Sequence, residues 1–193
     1  MEPVNIILLL SILTTQVIWA FTSPFTPLEN IKMLLKNRAG LGSFLSLLLI
    51  IQTLRMFDIY ILAAIPLWLT ILGTGITITG AVLACWAKFT MKNIWGTPAQ
   101  HDRKRQNRLI TSGPFAFSRN PIYVGLFMIF IGTELALGSM FILLSFPLII
   151  LIHQAVLKEE KLLGDYFKKK YGDYKKKTPR YLYYKNSGLQ LIF

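Results

Sequence analysis

Apolar residues along this chain come in runs too long for the core of a small soluble helix, and the polar stretches between them collect the lysines and arginines. Given roughly 20 apolar residues per crossing, five runs read as membrane spans: 4–21, 41–57, 59–87, 122–137 and 139–157. The third is overlong and must tilt or bend, with Pro66 as the natural bend point. The pattern predicts an all-α fold, a polytopic membrane helical bundle of about five transmembrane helices forming a single domain over 1–193. Its parts are three transmembrane helices in 1–87, a cytoplasmic loop over 88–121, a helical hairpin over 122–157 and a cytoplasmic tail over 158–193. Only Gly138 and Ser139 separate the last two spans, so these helices are antiparallel neighbours. That hairpin brings Asn120 to Tyr123 beside Leu157 to Lys161.

Composition agrees with the pattern: 53% of residues are hydrophobic and 16% charged, against roughly 25% charged in soluble domains. The charge then fixes orientation. All of the 21 basic residues except Arg55 fall in alternate loops, including Lys32, Lys36 and Arg38, the loop from Lys88 to Arg119, and the tail. By the positive-inside rule those loops are cytoplasmic, which puts the amino terminus outside and the carboxyl terminus in the cytoplasm. A net charge of +12 flanking apolar spans is explained by topology and anionic headgroups rather than by nucleic acid, for which no recognition fold is present. The opening run has Glu2 and no basic residue before it, so it reads as an uncleaved helix rather than a signal peptide. One cysteine, Cys85, and two distant histidines, His101 and His153, give no basis for a disulfide or a metal site.

Chemistry concentrates at the boundary between loop and fourth span. Thr111-Ser112-Gly113-Pro114 signals a turn. Asn120-Pro121 reads as a helix N-cap with proline in the first turn, and Arg119 places a planar donor fork just before it. Phe115, Phe117 and Tyr123 supply aromatic faces around this start, either as an interfacial belt or around a ligand. Glu159 and Glu160 follow the fifth span; at about 100° apart on a continuing helix, only one can point squarely into a shared pocket. Gly73, Gly75 and Gly80 lie in an apolar span and mark close helix packing rather than a dinucleotide loop. Glu134 lies near the outer end of the fourth span, within reach of water, and is assigned no chemistry. The tail 181–193 is an interfacial helix or a lid, with the lid favoured.

Taken in order, Leu109-Ile110-Thr111-Ser112-Gly113-Pro114-Phe115, Arg119-Asn120-Pro121-Ile122-Tyr123, Glu159-Glu160 and Tyr171-Gly172-Asp173-Tyr174 form a set that resembles the isoprenylcysteine carboxyl methyltransferase family, over 100–179. The resemblance implies an S-adenosylmethionine-dependent membrane methyltransferase with a C-terminal cytoplasmic cofactor pocket. Its cofactor residues would be Gln100, Asn107, Arg108, Leu109, Ile110, Phe115, Asn120, Pro121, Ile122, Tyr123, Glu159 and Glu160. The catalytic candidates are Arg119, to orient an anionic acceptor, and Glu159 or Glu160, to accept a proton from an amine. Asn120 replaces the family's usual histidine, which keeps a positional contact and removes a titrating one. No arginine lies near Ala155, where the family places a substrate-side cation. The implied acceptor is the carboxylate of a prenylated cysteine or a similar lipidic acid entering from the bilayer, with no metal and no nucleic acid involved. Two other enzymes share the C-terminal pattern, a phospholipid amine N-methyltransferase and a sterol-reductase-like enzyme using NADPH. A membrane scaffold without catalysis is the remaining alternative. Glu160→Gln and Asn120→Ala are expected to weaken cofactor binding without unfolding, on the premise that both line a polar cleft outside the core.

Overall fold

A computed structural model describes residues 3–21, 65–91 and 108–182. The second span, the loop positions Gln100 and Asn107, and nearly all of the tail 181–193 lie outside the described residues. Among the described residues there are five α-helices and no strands: α1 Pro3–Phe21, α2 Leu67–Met91, α3 Pro121–Ala136, α4 Ser145–Phe167 and α5 Lys169–Lys177. Two helical stretches, Leu67–Met91 and Met140–Phe167, are long and apolar enough to cross a membrane; Pro3–Trp19 and Pro121–Ala136 are shorter and apolar. Much of their apolar surface points outward, including Trp68, Ile71 and Val82 on α2 and Phe146, Ile149 and Ile150 on α4. Outward apolar surface of this extent suits lipid as the solvent.

Three boundaries differ from the sequence pattern, one of them the start of α4 at Ser145, six residues after the expected start of that span. Pro66 stands just before α2, where its carbonyl accepts from the amides of Leu69 and Thr70. Proline suits a helix start because it has no amide hydrogen to leave unpaired. At the other end α2 runs past Ala87 to Met91, so Lys88 belongs to the helix's last turn and is buried, not part of the loop. Glu134 is likewise fully buried in α3 and does not reach water.

α3 packs chiefly along α2, and only lightly against α4. The reason lies in small residues. A Cβ at Gly80 would sit 2.7 Å from the Gly125 carbonyl oxygen, and one at Gly132 would sit 2.6 Å from the Thr77 amide nitrogen. The two antiparallel backbones are in direct contact, which is how helices associate when lipid removes the hydrophobic drive between them. Thr77 and Thr133 add a hydrogen bond at 3.4 Å across the same seam. α1 covers α2 through Leu8, Ile12 and Thr15, which are buried.

From α3 the chain turns at Gly138, whose φ of +60° favours glycine, and passes through a 3-10 segment, Met140–Leu144, into α4. α4 continues well past the apolar run that ends at Leu157, carrying both glutamates on helix as expected. A corner at Lys168 then reverses direction, and α5 returns toward the start of α3.

Candidate functional site

The start of α3 is held by three segments that are far apart in sequence: the 3-10 turn Gly113–Ala116, the end of α4, and α5 with the residues after it. Gly113, with φ of +61°, makes the first of these turns possible. Phe115 is buried in the main apolar cluster, while its carbonyl oxygen accepts a hydrogen bond from the Tyr174 hydroxyl at 2.6 Å.

Glu160 is the centre. Its Oε1 accepts from Arg119 Nη2 at 2.8 Å, Arg119 Nε at 3.0 Å, Arg180 Nε at 3.2 Å and Asn120 Nδ2 at 3.4 Å, and its Oε2 accepts from Arg180 Nη2 at 3.2 Å. Burial by itself would push this carboxyl up. The hydrogen bonds from Arg180 and Arg119, reinforced by their charge, outweigh it and hold Glu160 below the ordinary carboxylate range. The carboxylate is therefore ionised at neutral pH, with four donors crowded on Oε1 and one on Oε2.

Arg119 is similarly occupied. Beyond its two bonds to Glu160, Nη1 donates to the carbonyls of Thr178 at 2.7 Å and Lys175 at 3.3 Å. Its backbone amide donates to the Pro179 carbonyl at 2.9 Å. This arginine staples α4 and the chain after α5 to the start of α3, and orienting an acceptor would require it to exchange these partners.

Asn120 occupies the N-cap position without capping: its side chain makes no cap hydrogen bond. Nδ2 instead donates to the Arg180 carbonyl at 3.0 Å as well as to Glu160. Ser118 Oγ donates to that same carbonyl at 3.3 Å and accepts from the Asn120 amide at 3.1 Å.

Glu159 faces the same helix start by a different route, accepting from the Tyr123 hydroxyl at 2.9 Å. The expectation that only one glutamate meets this region is corrected: Asn120 just before α3 and Tyr123 in its first turn each donate to one of them. Glu160 is buried and Glu159 only half so. Pro121 and Ile122 are buried in the helix start, Leu109 and Ile110 are half-buried, and Arg108 is exposed.

Sequence reasoning missed Arg180, the second cation on Glu160, together with Ser118 and Thr178. No local pattern marks them, since Arg180 is 20 residues from Glu160 and 60 from Asn120. The one available signal was Thr178-Pro179, where proline forces α5 to end and the chain to run extended. Tyr171 completes the group. Its hydroxyl is buried with no hydrogen-bond partner among the described residues, and burial, with the nearby Glu160 charge, pushes it above the ordinary tyrosine range. It is a neutral donor held within the field of Glu160 and Arg119. A buried hydroxyl left without a partner costs about 1–3 kcal/mol, so the position suits a polar ligand atom.

The model of one family of membrane enzymes, described as phospholipid methyltransferase, matches residues 68–172, from the first turn of α2 to the middle of α5. The chain belongs to the phospholipid methyltransferase family. Among curated proteins, family resemblance runs to the protein-S-isoprenylcysteine O-methyltransferases. That of Xenopus laevis is 31% identical over 114 residues, covering 58% of this chain and 40% of its own length. The Schizosaccharomyces pombe protein is 35% identical over 92 residues, 47% of this chain and 36% of its own. The Homo sapiens protein is 31% identical over 114 residues, with shares of 58% and 40%. The chain thus spans about 40% of the length of these relatives. No solved structure matches it. Family membership and the apolar helices together mark a membrane protein.

Tyr174→Phe removes the hydroxyl that ties α5 to the 3-10 turn. A loss of about 1 kcal/mol is expected from one buried neutral hydrogen bond, read as a lower unfolding temperature in detergent. No change would mean that the Phe115 carbonyl finds water instead.

Proposed function

We propose that this protein is a membrane methyltransferase that moves a methyl group from S-adenosylmethionine to a lipidic acceptor, the carboxylate of a prenylated cysteine or a similar isoprenoid-linked acid. The observation that carries the reading is the meeting of Asn120 and Tyr123 with Glu160 and Glu159 at the end of two apolar helices, inside the stretch 68–172 that the family model matches. We place the protein in the bilayer as five spans with the amino terminus outside and the carboxyl terminus in the cytoplasm.

The residues present fit the proposed cofactor. A half-buried Glu159 suits an ammonium or sulfonium charge, and the buried Tyr171 hydroxyl offers a donor. When bound, S-adenosylmethionine supplies a methyl group already activated by a positively charged sulfur. Asn120, Tyr123 and Glu159 are the proposed binding contacts, with Leu109, Ile110 and Phe115 as apolar walls. Glu160, Arg119 and Arg180 form the positioning group that fixes the helix start and keeps water out. A carboxylate acceptor is ionised at neutral pH and needs no proton acceptor, so holding it in line and dry supplies the catalysis, effects worth up to roughly 7–11 kcal/mol.

The family's description favours a second reading, methylation of a phospholipid amine, in which Glu159 receives the proton released by the acceptor. Calorimetric titration of the detergent-purified protein with S-adenosylhomocysteine, with NADPH in parallel, tests the class. Saturable binding of S-adenosylhomocysteine alone is expected. Binding of NADPH alone would move the protein to reductase chemistry, and binding of neither by folded protein would sink the enzyme reading. Methyl transfer to a prenylated cysteine, set against transfer to an ethanolamine phospholipid, then decides between acceptors.

A further inference from the structure

We infer that α5 is a docking face for anionic lipid headgroups, and that headgroup charge holds the chain segment 178–182 against the start of α3. This inference does not depend on the chemistry proposed above. Lys168, Lys169, Lys170, Lys175, Lys176 and Lys177 bracket the short helix, and all are exposed; Asp173 is the one acid among them. The inner side of the helix is Tyr171 and Tyr174, both buried. Lys169 and Lys176 lie opposite these tyrosines and the other four flank them, so the exposed surface of the helix is ringed with positive charge.

Position makes the partner a membrane surface. Arg119 stands two residues before the apolar α3, and its Nη1 binds the carbonyls of Lys175 and Thr178, so the end of α5 sits at the depth where the span begins. Exposed lysines at that depth meet headgroups, and each adds to the attraction of an anionic leaflet. The corner that aims α5 is held under strain. Lys168 has φ of +47°, a conformation that favours glycine, and it is fixed by bonds from its amide to the Gly164 carbonyl and from the Gly172 amide to its own carbonyl.

Coupling to the site follows from the same contacts. The chain leaves α5 at Thr178 and immediately gives its carbonyls to Arg119, Ser118 and Asn120. Anything that holds α5 down steadies these bonds, and anything that lifts it strips them together.

The full chain is reconstituted in phosphatidylcholine bilayers with and without phosphatidylglycerol, and amide hydrogen exchange is followed over 168–182. Exchange is expected to slow by about tenfold when phosphatidylglycerol is present at low salt, since several lysines contribute, and to recover at high salt. The variant K169Q/K170Q/K176Q/K177Q, whose exchange in neutral lipid should equal the wild type's and so show it folded, is expected to lose that response. Equal wild-type exchange in both lipids, or a response that survives in the variant, overturns the inference. Slowing by a polyglutamate peptide in neutral bilayers, with none from phosphatidylglycerol, overturns it in favour of a protein partner.

Discussion

Glu160→Gln is expected to cost about 3 kcal/mol of stability, near the lower end of what breaking a buried ion pair costs. The residue is not at the edge of a polar cleft, as its place in the sequence suggests. Its side chain is 5% exposed and that of Arg119 8%, so loss of the carboxylate charge leaves a guanidinium buried without compensation. Arg180, at 26%, can turn toward water, which keeps the loss from being larger. The amide nitrogen of glutamine would moreover face a guanidinium, donor against donor. Thermal unfolding in detergent checks this, with Glu159→Gln, which disturbs only the Tyr123 contact, as the milder comparison. If the two variants unfold alike, Glu160 is not the keystone of the cluster.

The pH dependence follows from the same geometry. The Glu160 carboxyl is held below its ordinary range in the folded protein, so its stabilising contribution is fully present above the unfolded value. That contribution disappears as pH falls through the lower folded value. The unfolding temperature of wild type should therefore include a Glu160-dependent drop on acidification below about pH 4, where unperturbed carboxyls titrate. Glu160→Gln should lack that part of the drop.

Gly80→Ala and Gly132→Ala are each expected to destabilise by about 1–3 kcal/mol, the cost of forcing extra atoms into a packed interface. The new methyl carbons would stand 2.7 Å from the Gly125 oxygen and 2.6 Å from the Thr77 nitrogen, both backbone atoms that cannot swing aside. α2 and α3 must move apart, and the Thr77–Thr133 hydrogen bond, already 3.4 Å, is lost with them. Gly75 is the control. Nothing lies within 4 Å of its added Cβ, so Gly75→Ala should be neutral or stabilising by up to about 1 kcal/mol from helix propensity. Because α3 presents Asn120 and Tyr123 at one end, separation along the seam should also weaken S-adenosylhomocysteine binding. Wild-type stability in Gly80→Ala and Gly132→Ala would sink the direct backbone contact.

Much of the fold is legible in the sequence because membrane helices are written in long apolar runs. The helices at 3–21, 121–136 and 145–167, the continuation of the last one through both glutamates, and the turn at Gly138-Ser139 follow from hydropathy and turn chemistry alone, whereas the 3-10 segment Met140–Leu144 that lengthens the link does not. The close approach of Gly80 to a neighbouring helix was readable too, as small residues in an apolar span. The antiparallel link was less informative than it looks: adjacency in sequence made α4 the expected partner of α3. Glycines on both α2 and α3 made α2 the closer one, and which glycine faces which is a matter of three-dimensional register.

The amino-acid sequence by itself determined the class of the protein, its apolar helices and the residue types gathered near the start of α3, because these depend on local periodicity, composition and ordered motifs. The tertiary structure alone decided what those residues do to each other. It turned Asn120 from a helix cap into a donor to Glu160 and Arg180, and it turned Arg119 from a free cation into a staple with every group of its guanidinium engaged. It also brought Arg180 across 60 residues to the same cluster. Hydropathy reports the cost of meeting lipid one residue at a time, whereas a buried carboxylate is stabilised by whichever donors the folded chain delivers, and those come from segments with no pattern in common.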